Sequence, residues 1–172
     1  MKLAMNMIRQ YADIPVTPEE YTQRMIMTGT AVEATEDISG GMEKVVVGRV
    51  LTCEDVEGTH LHECTVDVGG PETLHIVCGA PNVAAGQLVP VALDGAHLPG
   101  GVKIKKGKLR GVESNGMLCS LGELGLTQHD FPNAIEDGIF VLGDDCDHTL
   151  GMPVCQAIGF DDTKVEFEIT SN

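Results

Sequence analysis

The chain has no tryptophan, and its two tyrosines and four phenylalanines make up 3% of the 172 residues. No aromatic residue occurs between Tyr21 and Phe131, so that stretch lacks the rings on which nucleic-acid-binding barrels commonly stack bases. Positive charge is also scarce: 11 lysines and arginines stand against 26 aspartates and glutamates, for a net charge of −15. The six cysteines (Cys53, Cys64, Cys78, Cys119, Cys146 and Cys155) include no Cys-x-x-Cys pair and lack the dense spacing of a secreted disulfide framework. Free thiols are the expectation. The opening MKLAMNMIRQYADIP has no continuous apolar run, because Asn6, Arg9, Gln10 and Asp13 interrupt it. It reads as neither a secretion signal nor a membrane span, which makes the cytoplasm the default compartment. No glycine-rich phosphate loop, Ser/His/Asp grouping or telling carboxylate pair occurs, so no catalytic residue is named and independent catalysis is not expected.

Against this background one segment stands out. Lys103, Lys105, Lys106, Lys108 and Arg110 place five of the eleven basic residues within eight positions. The other 164 residues hold six basic and 26 acidic side chains, so a charge of +5 sits on a background of −20. Such asymmetry marks a candidate polyanion site. It is equally the pattern of a solvated strand whose lysines keep a sheet edge from pairing with a neighbour. In VKIKKGKLRG, Val102, Ile104 and Leu109 are expected to point inward and the cations outward, with a one-residue phase slip at Gly107.

A length of 172 residues suffices to bury a core without a metal or disulfide staple. Leu3, Met7, Ile8 and Tyr11 share a helical face, and Thr17-Pro18-Glu19-Glu20 supplies an N-cap, a first-turn proline and a capping-box glutamate. Gly29 ends that helix, and AVEATEDI alternates as a short strand or extended connection. Met5, Met7, Met25 and Met27 are read as core fillers beside these helices. From Val45 onward, VVVGRVLTC, CTVDVGG, TLHIVCG, LVPVALDG and VKIKKGKLRG read as five short antiparallel strands of a small barrel. Gly69-Gly70, Asp94-Gly95 and Pro99-Gly100-Gly101 provide turns, Gly48 and Gly107 fall where strands bend, and Pro90 marks an edge strand or a bulge. VCQAIGF reads as one or two helical turns before a last strand, KVEFEIT.

His60, His62 and Cys64 alternate along one strand, with Cys53, His75 and Cys78 also available, so a structural zinc site competes with buried thiols and surface histidines. Cys64 is in phase with Val66 and Val68, and Cys78 with Leu74 and Ile76, which favours the buried thiols. Ser114-Asn115-Gly116 reads as a tight turn into the buried strand Met117-Leu118-Cys119.

The runs MNMIRQYADIPVTPEEY, MTGTAVEA, IVCGAPNVAAGQLVPVALDGAHLPGGVKIKKGKLRGVESNGMLCS, ELGL and VEFEITSN resemble the N-terminal region of the bacterial phenylalanine–tRNA ligase beta subunit. The resemblance implies a mainly β fold with some α: a five-stranded antiparallel barrel of the oligonucleotide-binding (OB) type, over residues 40–151. It would be inserted in a small α+β domain formed by residues 1–39 and 152–172. The last strand, residues 163–169, is expected to pair with the N-terminal segment near residues 31–37, in a chain cut from a longer protein. The resemblance further implies tRNA(Phe) as a partner, together with an alpha subunit in a heterotetramer of two alpha and two beta chains. ATP and magnesium belong to the whole ligase, and no cofactor or metal to this stretch. Lys103, Lys105, Lys106, Lys108, Arg110, Ser114 and Asn115 are the candidate RNA contacts, with Gly116 and Met117 completing the matched motif. EGTHLHEC departs from the His-Pro-Asn-Ala-Asp-like run usual in the family, so no role is carried over to that loop.

Overall fold

The computed structural model describes residues 1–38 and 41–168. In chain order these form β1 (Lys2–Ala4), α1 (Met5–Arg9), α2 (Pro18–Met27), β2 (Val32–Asp37), β3 (Glu43–Asp55), β4 (His62–Asp67), β5 (Leu74–Cys78) and β6 (Leu88–Leu98). There follow β7 (Val102–Lys103), β8 (Gly107–Leu109), β9 (Val112–Ser114), β10 (Gly116–Leu118), α3 (Val154–Ala157) and β11 (Thr163–Phe167). Among the described residues no helix is long and apolar enough to cross a membrane. The chain divides into two compact units, Met1–Gly40 with Phe160–Asn172, and Gly41–Gly159.

In the smaller unit, β11 lies between β1 and β2 in an antiparallel sheet. Ile169, the end of the expected last strand, lies outside the described residues. Met5, Val165 and Phe167 form the core, with Leu3, Ile8, Tyr21, Met25 and Val32 packed against it, and the Tyr21 and Phe167 rings meet edge-on at 6.4 Å. Thr17 Oγ1 accepts the Glu20 N–H at 3.2 Å and so caps α2, while the Glu20 carboxylate pairs with Arg24 one turn on. Gly29, at φ +94°, closes the helix as Thr30 N–H bonds to the Met25 carbonyl.

Two expectations fail here. Leu3 belongs to a strand, α1 has only five residues, and Tyr11 is 83% exposed, so no continuous helical face runs from Leu3 to Tyr11. Met7 and Met27 are also exposed; Met5 and Met25 alone of the four meet the core. The cause is non-local: Leu3 sits opposite Val165, and this distant strand diverts the N-terminus from the helical period that local sequence suggests.

The larger unit is a curled antiparallel sheet of order β10-β6-β3-β4-β5, with β7 added beside β6. The chain leading into β10 is tied to the other edge strand, β5, by two hydrogen bonds, Asn115 N–H to the His75 carbonyl (2.8 Å) and Val77 N–H to Ser114 Oγ (3.1 Å). Val50, Cys64, Val66, Ile76, Val89, Val91 and Leu118 fill the interior, each fully buried aliphatic side chain contributing about 1.5–3 kcal/mol. Gly48 is required by this packing: a Cβ there would lie 2.5 Å from Val91 Cγ2 and 2.9 Å from Val66 Cγ1.

Four strand readings match β3, β4, β5 and β6, but the fifth does not. VKIKKGKLRG splits into β7 and β8, which belong to different sheets, and the fifth strand of the main sheet is β10. Pro90 is a second correction, being fully buried in β6 between β3 and β10. It is tolerated because it faces the end of β10: its carbonyl accepts from Cys119 N–H, and the Cys119 carbonyl is taken by Phe140 N–H. Asp94-Gly95 forms no turn between strands but lies within β6, where the register against β3 jumps and Gly95 has φ +82°. α3 is a single turn.

Candidate nucleic-acid interface

The basic segment begins where β6 gives out. Gly100 and Gly101, at φ +85° and +81°, turn the chain so that β7 returns along β6 with Lys103 opposite His97. Ile104 then anchors it. Its side chain is buried, its N–H bonds to the Ala96 carbonyl at 2.9 Å, and its carbonyl accepts from Gly95 N–H at 2.8 Å. Beyond Ile104 the chain leaves the sheet, held by Lys106 N–H to Asp94 Oδ1 at 3.0 Å.

From Gly107 the chain forms a hairpin, β8 against β9, in which Lys108 faces Glu113 and Leu109 faces Val112. Arg110 (φ +48°) and Gly111 (φ +90°) make its two-residue turn. Left-handed backbone at both positions suits the right-handed twist of the flanking strands, at a steric cost for Arg110 that glycine avoids.

The five cations thus occupy a short strand, a connector, a hairpin strand and a tight turn. All five are exposed, and none enters an ion pair among the described residues. Of the three apolar residues expected to point inward, only Ile104 does. Val102 is 52% and Leu109 48% exposed, so both stay at the surface.

Ser114 and Asn115 tie this ribbon to the body. Ser114 Oγ accepts Val77 N–H and donates to the Gly116 carbonyl at 2.9 Å, and Asn115 supplies its backbone N–H to His75. The hydroxyl is therefore engaged in turn geometry.

His75, a metal candidate by sequence, sits beside the hairpin in the structure. Its Nδ1 lies 2.7 Å from the Glu113 carbonyl oxygen and its Nε2 is hydrogen-bonded to the Glu63 carboxylate. The signal was its outward phase between the inward Leu74 and Ile76. The other metal candidates do not converge: His62 pairs with Asp55 across the β3–β4 hairpin at 2.8 Å, and Cys64 and Cys78 lie in the core. Among the described residues no group of three or more His, Cys, Asp or Glu is placed to hold a metal ion. Burial, assisted by neighbouring Cys53, pushes the Cys64 thiol up to about 12, and burial followed by Glu123 does the same to Cys119. Both are kept neutral and inert.

Along its whole length the chain is 45% identical to the phenylalanine–tRNA ligase beta subunit of Lactobacillus johnsonii. It is 46% identical to those of Streptococcus pneumoniae serotype 4 and Lactiplantibacillus plantarum. In each case it covers 21% of the relative, so it spans about a fifth of their length. Residues 45–142 match the family model described as "Putative tRNA binding domain". That match takes in β3 from Val45, the hairpins between, β10, and the buried Ile139, Phe140 and Leu142 that cover the sheet beyond it. With more than half of its residues inside one model, the chain belongs to the tRNA-binding domain family.

Proposed function

We propose that the larger unit is a non-catalytic tRNA-binding module of OB type, and that its contact surface is the ribbon carrying Lys103, Lys105, Lys106, Lys108 and Arg110. The observation behind this reading is that, among the described residues, five exposed cations remain unengaged by ion pairs on a chain with a large excess of carboxylates. Ser114 and Asn115 hold the ribbon in place. Without aromatic rings on this unit's sheet, the grip falls on phosphates and 2′-hydroxyls, so it follows shape and weakens with salt. The negative remainder of the chain keeps it weak.

The parent is proposed to be a cytoplasmic ligase of protein biosynthesis that attaches phenylalanine to tRNA(Phe) using ATP and magnesium. Its beta chains would act with alpha subunits in a heterotetramer of two of each. No ATP or magnesium step is assigned to residues 1–172, which present neither a clustered metal-ligand set among the described residues nor a phosphate loop. Purified chain should therefore show neither phenylalanine-dependent pyrophosphate exchange nor deacylation of mischarged tRNA above a buffer control.

A scaffold that meets a protein partner is the second reading. It is favoured by Val102 and Leu109, two half-exposed apolar side chains among the cations. Titration with tRNA at low and moderate salt separates the two. The first reading expects binding that Lys105→Ala, Lys108→Ala and Arg110→Ala together weaken. Unchanged binding by the triple variant, or no binding by the parent at low salt, supports the scaffold.

A further inference from the structure

His75 has a hydrogen-bond acceptor against each ring nitrogen. On one side is the Glu113 carbonyl of β9, which has no proton to give; on the other is the Glu63 carboxylate of β4. A neutral imidazole carries one N–H and satisfies one of them. To make both bonds, the ring and the Glu63 carboxyl together must hold one proton more than a neutral imidazole beside a carboxylate, wherever that proton sits between Nε2 and Oε1. The pair lies on the diagonal of the β4–β5 ladder, since His75 is opposite Thr65 and Glu63 opposite Val77.

We infer that His75 is a proton-dependent tether that holds the basic hairpin against β5, so that RNA capture by this ribbon is coupled to proton uptake. This rests on the tRNA-binding reading above. The charged residues on the elements packed against the ring are Glu63 and, on the opposite diagonal, Asp67 of β4, then Glu113 on β9 and, in register opposite it on β8, Lys108; β10 carries none. Loss of the extra proton turns a lone pair toward an oxygen and breaks one of the two bonds. The hairpin then keeps its Asn115–His75 backbone bond and its Ser114–Val77 bond, so it loosens without detaching. The contribution is therefore present while that proton is held and lost when it is released.

The test uses the free chain and its tRNA complex in three forms: parent, His75→Gln and His75→Arg. Arginine keeps donors on both sides at every pH and glutamine carries no charge. In the free parent chain, amide-exchange protection of β8 and β9, corrected for intrinsic rates, should fall between about pH 5.5 and about pH 8. It should stay high in His75→Arg and low in His75→Gln. tRNA affinity at fixed salt should fall about fivefold more over this span in the parent than in either variant, a modest coupling between two linked sites. His97, paired with Glu43 and in register with Lys103, adds a background common to all three. Equal protection in the three forms at both pH values overturns the tether. Protection that follows pH as stated, with no tRNA binding at any pH, retains the tether and overturns its coupling to RNA together with the tRNA-binding reading.

Discussion

The packed sheet and the basic ribbon each have a glycine in a strand, Gly48 within β3 and Gly107 at the start of β8, and the two glycines differ in kind. At Gly48 a Cβ would collide with Val91 and Val66, whereas at Gly107 the nearest atom stands 3.9 Å away. One region is specified by what it must bury. The other buries little beyond Ile104: β7 and β8 are exposed throughout, and its place is set by that anchor and a handful of backbone and side-chain bonds to β5 and β6. Register is strongly determined where a one-residue slip would turn a hydrophobic row to solvent, and weakly determined where both faces are wet.

The largest test of that contrast is truncation. Ile76→Ala, at a side chain with no exposed surface, should cost about 2–5 kcal/mol in denaturant unfolding, while Leu109→Ala should stay within about 0.5 kcal/mol. Similar losses at the two sites would mean that the ribbon has a core of its own. Next in size, Gly48→Ala should destabilise by about 1–3 kcal/mol through overpacking, with Gly107→Ala near neutral.

Smaller effects follow from charge. Alanine at Lys105, Lys108 and Arg110 should leave unfolding stability within about 0.5 kcal/mol, yet flatten the logarithmic salt dependence of tRNA binding by roughly 0.7–0.9 for each phosphate no longer neutralised. A large drop in stability would show that these cations hold the fold. The smallest expected effect is alkaline. Cys64 and Cys119 stay protonated in the folded chain up to about 12, against an ordinary value of 9.0. Unfolded thiols therefore release protons that folded ones keep, and stability should fall as pH rises between those values. Cys119→Ala should make that fall shallower, which unfolding midpoints across the alkaline range will show.

What the sequence made legible follows the same division. β3 to β6 were readable because Val47, Val89, Val91, Cys64, Val66 and Ile76 alternate toward an interior, and Thr17-Pro18 announces α2 by local chemistry alone. Lys103 to Arg110 stood out by charge, but their path did not: one continuous strand was expected where Ile104 anchors a short one and a hairpin follows. β1 was hidden because Leu3 acquires its partner, Val165, from the far end of the chain. His75 was invisible as a tether because Glu63 and Glu113 reach it only through folding, and Pro90 misled because its missing N–H is excused by Phe140, fifty residues on.

Amide chemical-shift mapping of residues 1–172 during titration with tRNA at low salt tests the central claim most directly. Shifts should concentrate on residues 103–115, leave the interior strands at Val47, Val66 and Ile76 unmoved, and disappear as salt is raised. Shifts centred on another surface, or none at all at low salt, would contradict that claim.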